Sequence, residues 1–119
     1  VRITSVDERD SSWERHQPRF RVYFFAGGDA PPASWSTDTY DVTGADVLEV
    51  VQWAQEHAGS EWLYAVALVD EDHTLPAGRC RGLTWLVGTD ANASREDADE
   101  QRRFAAMLDR RGKRVVDLG

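Results

Sequence analysis

Hydrophobic and polar positions recur along this chain with two different periods, and the switches between them predict its elements. From Phe20 to Ala26, "FRVYFFA", Phe20, Val22 and Phe24 fall on one side and Arg21, Tyr23 and Phe25 on the other. That is the period of a strand, in aromatic and β-branched residues that favour one. In the "GGDAPPAS" that follows, Gly27, Gly28, Pro31 and Pro32 break regular structure and predict a loop or broad hairpin connection. A second strand over 35 to 42, "WSTDTYDV", carries Ser36, Asp38 and Asp41, the polarity of a sheet edge. The period then lengthens. Val47, Val50, Val51, Ala54 and Ala58 form one stripe of a helix, Glu49, Gln52 and Glu56 lie opposite, and Trp53 and His57 fall one turn apart on the border. Thr43-Gly44-Ala45-Asp46 reads as the capping box that opens this helix, and Gly59 as its stop.

The run "WLYAVALV", 62 to 69, is apolar at every position and too short for a typical helix, which predicts a central strand covered on both faces. "DEDHTLPAGRCRG" turns the chain, and "LTWLVG", 83 to 88, returns as an antiparallel neighbour. In "GTDANASREDADEQ", Asp90, Asn92 and Ser94 alternate like the first ligands of a calcium loop. The sixth and twelfth positions, where such a loop needs Gly and Glu, hold Arg95 and Gln101. The same stretch predicts a helix start, with Ser94 and Asp97 as its capping pair and Glu96, Asp97, Asp99 and Glu100 where the helix dipole favours negative charge. Arg110 and Arg111 before Gly112 predict its end, and Ala98, Phe104, Ala105, Met107 and Leu108 its buried face. "KRVVDL" and "RITSV" are candidates for short terminal strands.

The order β-β-α-β-β-α predicts a single α+β domain over 1–119: a mostly antiparallel sheet of four to six strands with two helices on one face. Residues 35 to 117 alone have the ferredoxin-like order β-α-β-β-α-β, so a ferredoxin-like fold with added strands is the topology expected. At 119 residues, 41% of them hydrophobic and 29% charged, the chain is long enough for one core. No apolar run reaches the ~18 residues of a membrane span, and nothing near the N-terminus has the apolar centre of a signal peptide. Cys80 is the only cysteine, which excludes an internal disulfide and favours a reducing cytoplasm. The glycosylation sequon Asn92-Ala93-Ser94 loses its meaning there. Thirteen Arg against one Lys is the bias of a GC-rich bacterial genome.

A formal charge of −7 repels phosphate backbones, so no nucleic acid is expected as partner, and no membrane. A basic protein is the natural counterpart, set against plain solubility as the alternative use of the charge. His16, His57 and His73 lie in three segments without zinc spacing, "DEDH" at 70–73 reads as a solvated acidic loop, and no metal or cofactor is expected. Cys80 between Arg79 and Arg81 has the neighbours that favour a thiolate, without a hydrolase signature around it. No phosphate-binding glycine loop or nucleophile elbow occurs.

Five Trp in so short a chain remain to be explained. Trp62 and Trp85 are assigned to the core by their strands, whereas Trp13, Trp35 and Trp53 sit among polar residues where an amphipathic ring suits an interface. The leading expectation is therefore a small acidic protein-binding module, an inhibitor or immunity-type protein neutralising a basic partner. Trp35, Trp53, His57, Asp38, Asp41, Glu49 and Glu56 are its candidate contact residues. The alternative is a small-molecule or enzymatic ferredoxin-like homodimer whose cleft is lined by Trp53, His57, Tyr64 and Trp85, with His57 as general base. A structural subunit of a larger assembly is the third reading.

Overall fold

The computed structural model describes residues 1–27 and 34–119, so the connection through Gly28, Pro31 and Pro32 lies outside the described residues. Strands β1 (Phe20–Gly27), β2 (Trp35–Val42), β3 (Leu63–Glu71) and β4 (Arg81–Val87) form one sheet, with helices α1 (Val47–Ala58) and α2 (Ala98–Asp109). The sheet order is β2-β1-β3-β4, and every neighbouring pair is antiparallel. The two apolar strands, β1 and β3, are thus central, and β2 is an edge, as its aspartates require. Because β1 lies between them, β2 and β3 run parallel, and α1 makes the crossover that joins them.

The side-chain period of two sorts the core into halves. Phe20, Val22, Phe24, Tyr64 and Val66 pack with Val50, Val51, Ala54 and Ala58 of α1. Phe25, Leu63 and Ala65 point the other way and pack with Ala91 and with Met107 of α2. The helices therefore cover opposite faces of the sheet, where the sequence led us to expect both on one. The order of elements leaves the face open: a helix that follows β4 can cross either way, and here the chain passes under the sheet at Gly88. That glycine has φ +75°, and a Cβ on it would lie 3.0 Å from Met107 Sδ and 3.1 Å from Ala65 Cβ. Only glycine brings the chain this close.

Both helices start three residues later than the first capping candidates. Asp46, which the sequence reading placed inside the helix, is the N-cap of α1: its carboxylate accepts from the Glu49 N–H at 2.9 Å, and Glu49 Oε1 accepts from the Asp46 N–H at 3.1 Å. Asp97, not Ser94, caps α2 by accepting from the Glu100 N–H at 2.8 Å. The reason is reach. A capping box needs the longer Glu or Gln at its fourth position, which Asp46 and Asp97 have and Thr43 and Ser94 lack.

The terminal strands are not formed. Residues 1–6 are exposed without regular structure. The segment after α2 is held by side chains of α1 instead of by a strand: the Val115 and Val116 N–H groups donate to Gln55 Oε1 at 2.9 and 3.1 Å, Gln55 Nε2 donates to the Val116 carbonyl, and the Leu118 N–H donates to Gln52 Oε1 at 2.9 Å. The final strand of a ferredoxin-like order is accordingly absent. Gln55 is buried in this role, while Val47, expected inside, is exposed in the first turn of α1.

Candidate protein-binding site

Trp53 and His57 project from successive turns of α1 and stack, ring centroids 5.0 Å apart and planes 22° from parallel. Residues 38, 40 and 42 of β2 share the α1 side of the sheet, since Tyr40 stands opposite Val22 and Val42 opposite Phe20. This brings Tyr40 to 5.7 Å from Trp53 and 5.5 Å from His57. Trp62, in the turn between Gly59 and β3, closes the group at 6.1 Å from His57. All of it rests on Phe24, which meets Tyr40, Trp53 and His57 at 5.8, 5.5 and 4.5 Å. Phe24 is 2% exposed, whereas Tyr40, Trp53 and Trp62 remain 42, 36 and 36% exposed. Each such ring pair contributes ~0.5–1.5 kcal/mol beyond area burial, so the patch is rigid as well as open.

Of the residues that the sequence nominated, the structure brings together Trp53, His57 and Asp38, the last two residues from Tyr40 on the same face of β2. Glu49 closes the capping box and Glu56 pairs with Arg114 at 3.2 Å. Asp41 and Trp35 lie on the opposite face. Asp41 is clamped by Arg21 Nε and Arg19 Nε, each at 2.7 Å. The Arg21 hydrogen bond, with Arg19 adding to it and burial opposing, lowers its carboxyl to about 2. Trp35 packs against Phe104 at 6.5 Å, with the Arg111 guanidinium 5.6 Å from its ring.

Tyr40 and Trp62 were the missing members. Trp62 reads as core because it begins an apolar run, yet the strand itself starts at Leu63 and the indole stays in the turn. Glu61 beside it lines a shallow hollow of about 220 Å³ with His57, Ala58, Ser60 and Trp62. Among the described residues neither Asp38 nor Glu61 forms an ion pair.

The cleft of the alternative reading does not assemble. Tyr64 is buried under α1, whereas Trp85 lies on the α2 side against Tyr23 at 5.0 Å. Trp85 is half-buried because β4 is the other edge of the sheet, not a central strand. His57 is ringed by aromatic carbon, and among the described residues no carboxylate orients it as a base would require.

Other candidates have local explanations. In "DEDH", Asp70 pairs with Arg15 at 2.9 Å, Glu71 with Arg81 at 3.1 Å, and Asp72 accepts from the Thr74 N–H at 3.0 Å. Among the described residues no group of three metal-ligating side chains occurs. A groove of about 650 Å³ beside this loop is lined in part by Trp13, Arg15, Arg19, Asp70, Glu71 and His73, and within it Arg15 pairs with Asp70 and Arg19 with Glu71. Cys80 Sγ donates to the Ala77 carbonyl at 3.4 Å, and the neighbouring Arg81 is engaged by Glu71. In the false calcium loop, Asn92 turns away to bond β2: its Oδ1 accepts from the Trp35 N–H and its Nδ2 donates to the Trp35 carbonyl, both at 2.9 Å. Among the described residues no helix is long and apolar enough to cross a membrane.

No protein-family model, curated protein or solved structure matches the chain.

Proposed function

We propose that this chain is a protein-binding module whose contact surface is the Tyr40–Trp53–His57–Trp62 patch, and that its partner is basic. The observation that carries the reading is the combination of order and exposure: three large aromatic rings and an imidazole are locked against one another over a buried Phe24, yet the aromatics stay more than a third open. Pre-ordered aromatic side chains lose little entropy on binding and are the common anchors of interfaces. Asp38 and Glu61 at the rim, with the overall charge of −7, favour a cationic counterpart and speed its approach. An inhibitor or immunity-type protein is the kind of molecule that has these properties.

At the patch itself, size separates this reading from a small-molecule site. Ligand pockets run from ~300 to 1,000 Å³ and enclose most of their ligand. The hollow at His57 holds about 220 Å³ and is shallow. A flat aromatic surface suits a protein better. The test is co-purification from source cells with the wild-type chain and with the Tyr40→Ser, Trp62→Ser double variant as baits. The reading expects a basic protein retained by the first, lost from the second, and released by rising salt. A partner retained equally by both, or one indifferent to salt, contradicts it.

A further inference from the structure

The groove of about 650 Å³ between the segment before β1 and the end of β3 joins two sequence features that the aromatic patch leaves unused, Trp13 and the acidic loop from Asp70. Its volume falls within the ~300–1,000 Å³ of small-molecule sites. Pro18, Leu68 and Val69 give it a half-buried apolar lining, and at one end it already holds a cation. The Arg15 guanidinium lies 4.9 Å from the centroid of the Trp13 ring, and its Nη1 donates to Asp70 Oδ1 at 2.9 Å. An aromatic face and a carboxylate are the two groups that attract a planar cation. The same Asp70 oxygen accepts from the Glu71 N–H at 3.0 Å, so the backbone fixes this carboxylate whether or not Arg15 is present.

We infer that this groove binds a small organic cation, an amidinium or guanidinium on an apolar body. The head takes the place of the Arg15 guanidinium at the Trp13 ring and Asp70, and the body lies along Pro18, Leu68 and Val69. Arg15 is then a built-in competitor, and its own chemistry defines the head that the site accepts. It is easily displaced. Trp13 is 70% exposed, the Arg15 and Asp70 side chains are 65 and 63% exposed, and an ion pair so open to water is weak. The other charges nearby are held more firmly: Arg19 is anchored on Asp41 at 2.7 Å, and Glu71 takes Arg81 at 3.1 Å as well as Arg19. The Arg15–Asp70 pair is thus the one that opens. β3 separates this site from the aromatic patch, with Trp62 before its first residue and Asp70 near its last.

Benzamidine is the probe, with benzamide as the neutral molecule of the same shape, and the indole N–H signals of the tryptophans are followed by nuclear magnetic resonance. Benzamidine should move one indole signal saturably, with a Kd of about 1 mM or tighter. That signal should be the one missing from Trp13→Ala, and benzamide should leave it in place. Two further variants should act in opposite directions. Asp70→Asn, which removes the charged acceptor, should weaken benzamidine about tenfold. Arg15→Ala should tighten it about 2- to 5-fold, because the internal guanidinium no longer occupies the site for part of the time. All three positions are exposed, so circular dichroism spectra should not change. Equal shifts with both probes, no saturable shift up to about 10 mM, or shifts confined to other tryptophans overturn the inference. So does unchanged binding in Asp70→Asn, or binding in Arg15→Ala that is no tighter than in wild type.

Discussion

The two faces of the sheet carry helices of equal length, twelve residues each, both capped by an aspartate, and in every other respect they differ. α1 buries Val50, Val51, Ala54, Gln55 and Ala58, while α2 buries Met107 alone. The α2 side is completed by half-buried groups: Phe104 against Trp35, the Arg95 guanidinium 3.9 Å from the Phe104 ring, and ion pairs from Asp99 to Arg102 and Arg103. Ion pairs this exposed are screened by water and contribute little. The α1 side, in contrast, is sealed below and left aromatic at its rim. The densest packing and the exposed aromatic patch thus share one face, and the other face is the more lightly packed one.

Substitutions sharpen this contrast in descending order of effect. Phe24→Ala removes the ring under the patch and a fully buried core member together, and should cost ~3–5 kcal/mol by denaturant unfolding. A loss below about 1 kcal/mol would mean that the α1 face is not the stable one. Gly88→Ala acts on the other face, combining a left-handed backbone with contacts near 3 Å to Met107 and Ala65. It should cost ~2–4 kcal/mol. Its signature is selective: amide hydrogen exchange should rise in α2 well before α1, because weakly packed elements open on their own. Equal protection of both helices, in wild type or variant, would break the comparison.

Caps give smaller effects and locate the helix starts. Asp46→Ala and Asp97→Ala should each cost ~0.5–2 kcal/mol, whereas Thr43→Ala and Ser94→Ala should stay within ~0.5 kcal/mol. The reverse ranking would restore the earlier starts. Smallest is an effect of acid. The carboxyl of Asp41 is lowered from 3.8 to about 2 by Arg21 and Arg19. A lowered folded value stabilises above the unfolded value and is lost as protons return, so the contribution of this clamp is whole above pH 4 and disappears as pH falls toward 2. Asp41→Asn should flatten the unfolding midpoint over that window alone. An unchanged slope there would mean the clamp is not populated.

Much of this was legible in the residues. Periodicity located all four strands and both helices, and the unbroken apolarity of 62–69 marked β3 as central because a strand covered on both sides has no polar face to show. The face taken by α2 was not legible, since it depends on a crossing that only the close approach at Gly88 settles. Trp53 and His57 were readable as a pair from their spacing of one helical turn. Tyr40 was not, because its place depends on the register of β2 against β1, and Trp62 was misread because an apolar run does not reveal where its strand begins. Asp41 and Trp35 looked like surface contacts for the same reason: one-residue alternation decides the face, and β2 is polar on both.

The most direct test compares tryptophans from the two faces. Trp62→Ala and Trp35→Ala each remove one partly exposed indole, and both are measured by denaturant unfolding and by retention of the basic protein captured on wild type. The account predicts that Trp62→Ala loses the partner by ~2 kcal/mol or more while folding changes little, as an interface anchor does. Trp35→Ala, which uncovers Phe104, should lose stability and keep the partner. Partner loss on Trp35→Ala with retention on Trp62→Ala would move the binding surface to the α2 face and contradict the assignment made here.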